Sequence, residues 1–171
     1  MKTHPLLVIG FIFLAGCDET TEIIKQPPPK LIYANSFETS IDTLDWTGQG
    51  AWSVYPEGAP GGGSHSLSVW GTDIGPHAEK VILAPTETSQ VIFRYSARCL
   101  SHPHAFVRLI SLAPVAPYPS AGGGLLDTNW KSFADTGTFP PGYNLRIWIE
   151  GDGIFATPVL VDKIEVLTIL K

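Results

Sequence analysis

The segment Val91 to Leu100, VIFRYSARCL, constrains the fold more than any other part of this chain. Its odd positions (Val91, Phe93, Tyr95, Ala97, Cys99) are apolar or small, and its even positions carry Arg94, Ser96 and Arg98. That alternation is the period of a half-buried strand. Two other segments repeat it. In AFVRLI, Ala105, Val107 and Leu109 oppose Phe106, Arg108 and Ile110; in YNLRIWIE, Leu145, Ile147 and Ile149 oppose Asn144, Arg146, Trp148 and Glu150. Every arginine of the chain thus falls on the side away from the core. If the three strands share a sheet, that side is a cationic surface with Phe106 and Trp148 set among guanidinium groups.

The rest of the chain fits an all-β architecture. Glycine (17) and proline (15) punctuate short β-branched and aromatic runs, and no long segment has helical period. With 171 residues and 44% hydrophobic content there is material for one domain with a single core. The reading gives an antiparallel β-sandwich of about eight to ten strands. A formal net charge of −5 argues against a nucleic-acid binder, so any cationic site must be local.

Residues 1–16 read as a leader: Lys2, an apolar run from Leu6 to Ala15, then Leu14-Ala15-Gly16 before Cys17. The LAGC sequence resembles the lipobox of bacterial lipoproteins, which implies cleavage before Cys17, lipidation of Cys17 and stable membrane anchoring. On that resemblance the protein is expected in the bacterial cell envelope, at the periplasmic face of a membrane or at the cell surface. Asp18 and Glu19 follow the cysteine, and acidic residues there accompany inner-membrane retention in some bacteria and surface export in others. Residues 17–30, ending in three prolines and Lys30, are expected to form a tether, and residues 31–171 the folded domain. Cys99 is then the remaining thiol and is read as a buried small hydrophobe.

An ordered set of motifs adds a second resemblance. NSFE, a glycine loop leading into SHSLSV, VIFRYSAR, TNWKSFADTGTFPPG and VLVDKIEV together resemble carbohydrate-binding modules of the galactose-binding-like β-jelly-roll type. The resemblance spans roughly residues 33 to 168. It implies a jelly roll with adjacent first and last strands. It also implies a structural calcium held by Glu38 and Asp162, with carbonyls of Ser64 or His65, although Lys163 stands where many members have a second acid. Sugar binding in such modules uses aromatics on the concave face of one sheet or in loops at one edge. A ligand face of Arg94, Arg98, Phe106, Arg108, Arg146, Trp148 and Glu150 would suit an acidic polysaccharide, since guanidinium pairs with carboxylate or sulfate at two points.

The competing reading pairs these arginines with acids inside the protein: Glu150, Asp73, Glu79, Asp127 or Asp152. It would make the chain a protein-interaction or structural envelope lipoprotein with an envelope protein as partner. Catalysis is not expected. No GxSxG elbow, HExxH helix, zinc spacing or Walker loop is present, and Gly61 to Gly63 precede a strand and no P-loop lysine. His102-Pro103-His104 reads as a loop feature, and carboxylate pairs such as Glu150 with Asp152 could supply acid and base, but without a catalytic signature around them. Trp46, Trp52 and Trp130 are read as core aromatics.

Overall fold

The computed structural model describes residues 27–71, 75–87, 89–114, 118–124, 127–153 and 155–169. The leader and Cys17 lie outside the described residues. Eleven strands follow one another: β1 (Lys30–Asn35), β2 (Thr47–Gln49), β3 (Ala51–Tyr55), β4 (Ser66–Trp70), β5 (His77–Ile82), β6 (Ser89–Cys99), β7 (Phe106–Ser111), β8 (Ser120–Gly122), β9 (Lys131–Phe139), β10 (Leu145–Glu150) and β11 (Val159–Ile169). A single 3-10 turn, Ser40–Thr43, is the only helical element among the described residues. The expected antiparallel sandwich is therefore present. It has more strands than the sequence reading gave because β2 and β8 are three-residue pieces without an alternating pattern.

Two sheets make the sandwich. The first runs β3-β4-β11-β6-β9, with β1 paired to the second half of β11; the second runs β2-β5-β10-β7-β8. The expected neighbourhood of first and last strands is the β1–β11 ladder, from Lys30 opposite Thr168 to Asn35 opposite Ile164. Alternation decides what each strand buries. Val91, Phe93, Tyr95, Ala97 and Cys99 of β6 pack against Val107 and Leu109 of β7 and Leu145, Ile147 and Ile149 of β10, all essentially without exposure.

The shared arginine sheet is not what the chain builds. β6 belongs to the first sheet, whereas β7 and β10 are neighbours in the second. Arg94 and Arg98 therefore look out from one side of the sandwich, and Arg108 and Arg146 from the other. The physical reason is that alternation reports only which residues point away from the core. Each sheet of a sandwich has its own outside, so one parity serves two opposite faces.

Two departures from regular strand geometry position side chains. The first strand ends at Asn35, whose Oδ1 accepts from Phe37 N at 2.8 Å. Phe37 takes φ 54° and turns into the core, edge-on to Trp46 at 5.5 Å. In β11 the pairing with β6 shifts between Asp162 and Glu165, and Lys163 has φ 55°. This bulge exchanges the two faces of the strand midway, so that Val159 and Val161 face the core before it and Ile164 and Val166 after it, while Asp162 is buried under the loop that carries Ala59 and Gly62. Of the three tryptophans read as core, Trp46 is buried and Trp52 packs against the core from its margin. Trp130 is a correction: its indole lies at the surface, donating to Glu57 at 2.9 Å beneath the Arg98 guanidinium, because a polar acceptor and a cation satisfy it there.

Candidate functional site

The outer face of the second sheet gathers most of the chemistry. β10 lies between β5 and β7, so their outward residues form rows. Trp148 sits between Glu79 and Arg108, Glu150 between His77 and Phe106, and Arg146 between Val81 and Ile110. Both flanking strands are antiparallel to β10, which sets these side chains opposite one another at pairing distance.

Each polar group on this face is held. The His77 ring stacks on Trp148 with centroids 3.8 Å apart and planes 15° apart, and its Nδ1 meets the Gly75 carbonyl at 2.9 Å. Trp148 Nε1 donates to Glu150 at 3.0 Å. Arg146 Nε lies 3.2 Å from Glu79, and its guanidinium carbon is 5.8 Å from the Trp148 ring. Arg108 lies over Phe106 at 4.6 Å, a cation–π pairing. The result is a row of braced aromatic surface with hydrogen-bonding groups at its margins. Its fixed charges are two guanidinium groups against two carboxylates.

The other expected ligand residues lie elsewhere. Arg94 pairs with Glu165 at 3.5 Å, and Arg98 with Glu57 at 2.6 Å, on the outside of the first sheet. They are not part of the face that holds Phe106, Arg108, Arg146, Trp148 and Glu150. Internal pairing does claim Arg146, and through Glu79, one of the acids considered for it. Asp127 instead binds Lys131 at 2.6 Å, which holds its carboxyl down at about 2. Sequence reasoning missed His77 as a member of the face and named Glu79 only as an acid that could pair with an arginine. The signal was available in HAEKVI, where His77, Glu79 and Val81 share one parity. It missed Glu57 and Glu165 because their pairing depends on which strands become neighbours.

Glu38 and Asp162 converge on the Gly61–Gly63 loop. Glu38 Oε2 accepts from Ser64 N at 3.0 Å and Ser64 Oγ at 3.2 Å, and the backbone donor at Ser64 holds this carboxyl below its usual range. Asp162, fully buried, accepts from Ala59 N at 2.9 Å and from Lys163 N at 2.6 Å, and burial pushes its carboxyl up, the Glu38 charge adding to the effect. Both carboxylates press on glycine. A Cβ on Gly62 would stand 2.5 Å from Asp162 Oδ2, and one on Gly63 would collide with Glu38 Oε1. Glu38 Oε1 is shielded from solvent and has no hydrogen-bond partner. Two carboxylates, one with an idle buried oxygen, beside a glycine loop rich in carbonyls make a donor set that fits a hard cation. No group of three or more acidic, imidazole or thiol ligands is present among the described residues, so the remaining donors would be carbonyls and water.

The other sequence candidates are structural. Cys99 is buried, and burial pushes its thiol up to about 11, which keeps it protonated and unreactive. His102 stacks on Phe155 at 4.3 Å as part of a loop. Asp152 is buried in the turn after β10, bridged to Thr157, whereas Glu150 stands on the open face.

Comparison with known proteins bears on this geometry. No protein-family model matches the chain, and no curated protein matches it. Solved structures do. The xylan-binding CBM22-1 domain of Paenibacillus barcinonensis Xyn10C superposes with a TM-score of 0.62 at 14% identity, covering 84% of this chain and 97% of that one. A family 16 carbohydrate-binding module gives 0.56 at 17% identity, covering 80% and 99%. TmCBM61, solved with β-1,4-galactotriose, gives 0.53 at 14% identity, covering 77% and 92%. This chain has the fold of these carbohydrate-binding modules. At such identities the likeness establishes the sandwich and leaves the ligand to the residues.

Proposed function

We propose that this chain is a non-catalytic carbohydrate-binding protein whose sugar platform is the outer face of the second sheet. The observation that carries the reading is the braced Trp148, stacked by His77 and flanked by Phe106, with Glu79, Glu150, Arg108 and Arg146 around it. An aromatic plane receives the C–H face of a pyranose ring, and the charged rim exchanges hydrogen bonds with its hydroxyls. The similarity in fold to modules solved as sugar binders supports the same reading.

An acidic polysaccharide suited a face of four arginines. With the arginines divided between two faces, and Glu79 and Glu150 on the platform, the ligand class favoured here is an uncharged polysaccharide. Glu38 and Asp162 are proposed to hold a structural calcium, supported by the idle buried oxygen of Glu38. Residues 1–16 and Cys17 are proposed to deliver the domain to the bacterial envelope as a lipoprotein, supported by the LAGC sequence. Mass analysis of the amino terminus, with Cys17→Ser as control, tests the anchor: an unmodified, uncleaved terminus in the parent chain would remove it.

Native gels cast with xylan, galactan, β-glucan or a uronate polymer test the binding. The parent protein is retarded by at least one uncharged polymer, Trp148→Ala migrates freely, and Arg94→Ala on the opposite sheet behaves as the parent. Free migration of the parent in every gel would reject sugar binding and leave a protein partner as the ligand.

A further inference from the structure

The end of the sandwich farthest from the His77–Glu150 row is where the chain enters the fold. β1 begins there at Lys30, opposite Thr168 near the end of β11, and β5 ends there at Ile82, opposite Leu145 at the start of β10. Two sheet edges are left open. β1 pairs only with β11, and β2 covers β5 only as far as Glu79, so among the described residues Lys80 to Ile82 have no strand on that side. Between these edges lies a groove of about 600 Å³, lined by Lys30, Leu31, Ile32, Val81, Leu83 and Pro85 among others.

The groove is apolar and its lips are exposed. Leu31 is 52% exposed, Ile32 36%, Val81 45% and Leu83 83%. A regular strand would turn one of two consecutive residues inward, but the β1–β11 register shifts between Leu31 and Tyr33, and Leu31 and Ile32 both stay in contact with water. Leu83 follows β5 on a loop that is tied down: Ala84 N donates to Asn144 Oδ1 at 3.0 Å, and Gly142 N to the Pro85 carbonyl at 3.3 Å. The exposed Tyr143 stands in the turn that holds this loop. Single exposed hydrophobic residues are ordinary, whereas four around one groove form a contiguous patch of the kind that marks an interaction surface.

The position of the patch selects its occupant. Lys30, exposed at the rim, is also the residue at which the first strand begins. Twelve residues separate it from Cys17, and at ~3.3–3.6 Å per residue they span at most about 45 Å. A lipid on Cys17 therefore keeps the patch within that distance of a bilayer, which makes a weak contact effectively intramolecular. Leucine and isoleucine side chains enter the boundary between headgroups and acyl chains, tyrosine favours the headgroup level, and a lysine at the rim meets phosphate. Lys80 adds no free charge, since Asp45 holds it at 3.4 Å, so the contact is chiefly apolar.

We propose that this groove and its rim are a membrane-docking surface that seats the domain on the bilayer carrying its own lipid anchor. The inference rests on the anchor proposed above and goes beyond it. An anchor alone leaves the domain free to turn, whereas docking fixes its orientation, with the Arg146 row of the sugar platform nearest the lipid and the His77–Glu150 row farthest from it.

Site-directed fluorescence on the full-length lipidated protein tests the surface. Leu83→Cys, Leu31→Cys and Asn129→Cys are each labelled with a polarity-sensitive fluorophore, the buried Cys99 staying unlabelled, and are reconstituted into phosphatidylcholine–phosphatidylglycerol vesicles recovered by flotation. Asn129 lies exposed before β9, at the other end of the sandwich. The labels at positions 83 and 31 shift to the blue and are quenched by lipids carrying a nitroxide just below the headgroup, while the label at 129 keeps its emission in water. Adding Leu83→Asp to Leu31→Cys returns the label at 31 toward its emission in water. Vesicles that float with the protein while all three labels read alike would overturn the docking and leave the anchor standing. A blue shift without nitroxide quenching would mean that a second copy of the chain covers the patch, and would overturn the bilayer as occupant. Failure of the parent protein to float would overturn the anchor and the docking with it.

Discussion

Replacing Asp162 by Asn isolates the role of the buried acid at the β11 bulge. The parent carboxylate accepts from two backbone donors, Ala59 N at 2.9 Å and Lys163 N at 2.6 Å. Asparagine keeps the shape but has one carbonyl oxygen, so one N–H then faces an amide NH2 in a site without solvent. Leaving a buried donor unpaired costs about 1–3 kcal/mol. For a chain of this length each kcal/mol moves the thermal midpoint by about 2–4 °C, so the lost acceptor by itself lowers the midpoint by roughly 2–12 °C.

Calcium sharpens the test. At one hundred times its dissociation constant a ligand of the folded state adds about 2.7 kcal/mol, which raises the parent midpoint several degrees further and leaves Asp162→Asn where it was. The pH dependence has a definite sign. Burial holds the folded Asp162 carboxyl above its unfolded value, so its ionised form opposes folding without a cation. That penalty is absent below the unfolded value and complete above the folded one. The calcium increment grows over the same interval and disappears on acidification. Differential scanning calorimetry with calcium and with chelator reads all of this. A parent midpoint unmoved by calcium at neutral pH would refute the metal, and equal midpoints for parent and variant at acid pH, where the parent carries no charge penalty, would refute the buried-acceptor argument.

Other perturbations follow from the same geometry. Ile147→Ala opens a cavity under Trp148 where the parent side chain is fully buried, and the loss measured by urea unfolding is about 2–5 kcal/mol; a loss below 1 kcal/mol would contradict the packing. Arg98→Ala breaks a half-exposed pair with Glu57 and costs about 0.2–1 kcal/mol, with glycan affinity unaltered because the pair lies on the first sheet; weakened glycan binding would place the site on the wrong face. The Cys99 thiol, buried and raised to about 11, reacts with iodoacetamide at neutral pH only as fast as the protein opens; rapid labelling of the native protein would contradict its burial.

The strands were legible in the chain because burial writes itself into alternation. Val91 to Cys99, Ala105 to Leu109 and Leu145 to Ile149 all face the core as their pattern demands. What alternation omits is strand partnership. Arg94 and Arg146 have the same parity in sequence yet stand on opposite sides of the sandwich, since β6 pairs with β9 and β11 while β10 pairs with β5 and β7. The half of the site on Phe106, Arg108, Arg146, Trp148 and Glu150 was therefore visible, with Glu79 named only as an acid that could pair with an arginine, and His77, paired with Glu150 from a strand 73 positions away, was not. Trp130 was misread because tryptophan is apolar in composition but carries an N–H, and here Glu57 satisfies it at the surface.

The indole N–H resonances of the protein test the central claim most directly. Trp148 donates to Glu150 on the proposed platform, and Trp130 donates to Glu57 at a distance from it. Titration of the isotopically labelled protein with oligosaccharides of the polymer that retards it is followed by two-dimensional nitrogen–proton NMR. The account predicts that the Trp148 indole and the amides of β5, β7 and β10 shift in proportion to ligand while the Trp130 indole stays in place. Shifts confined to β6, β9 and β11, or a moving Trp130 with a stationary Trp148, would contradict it.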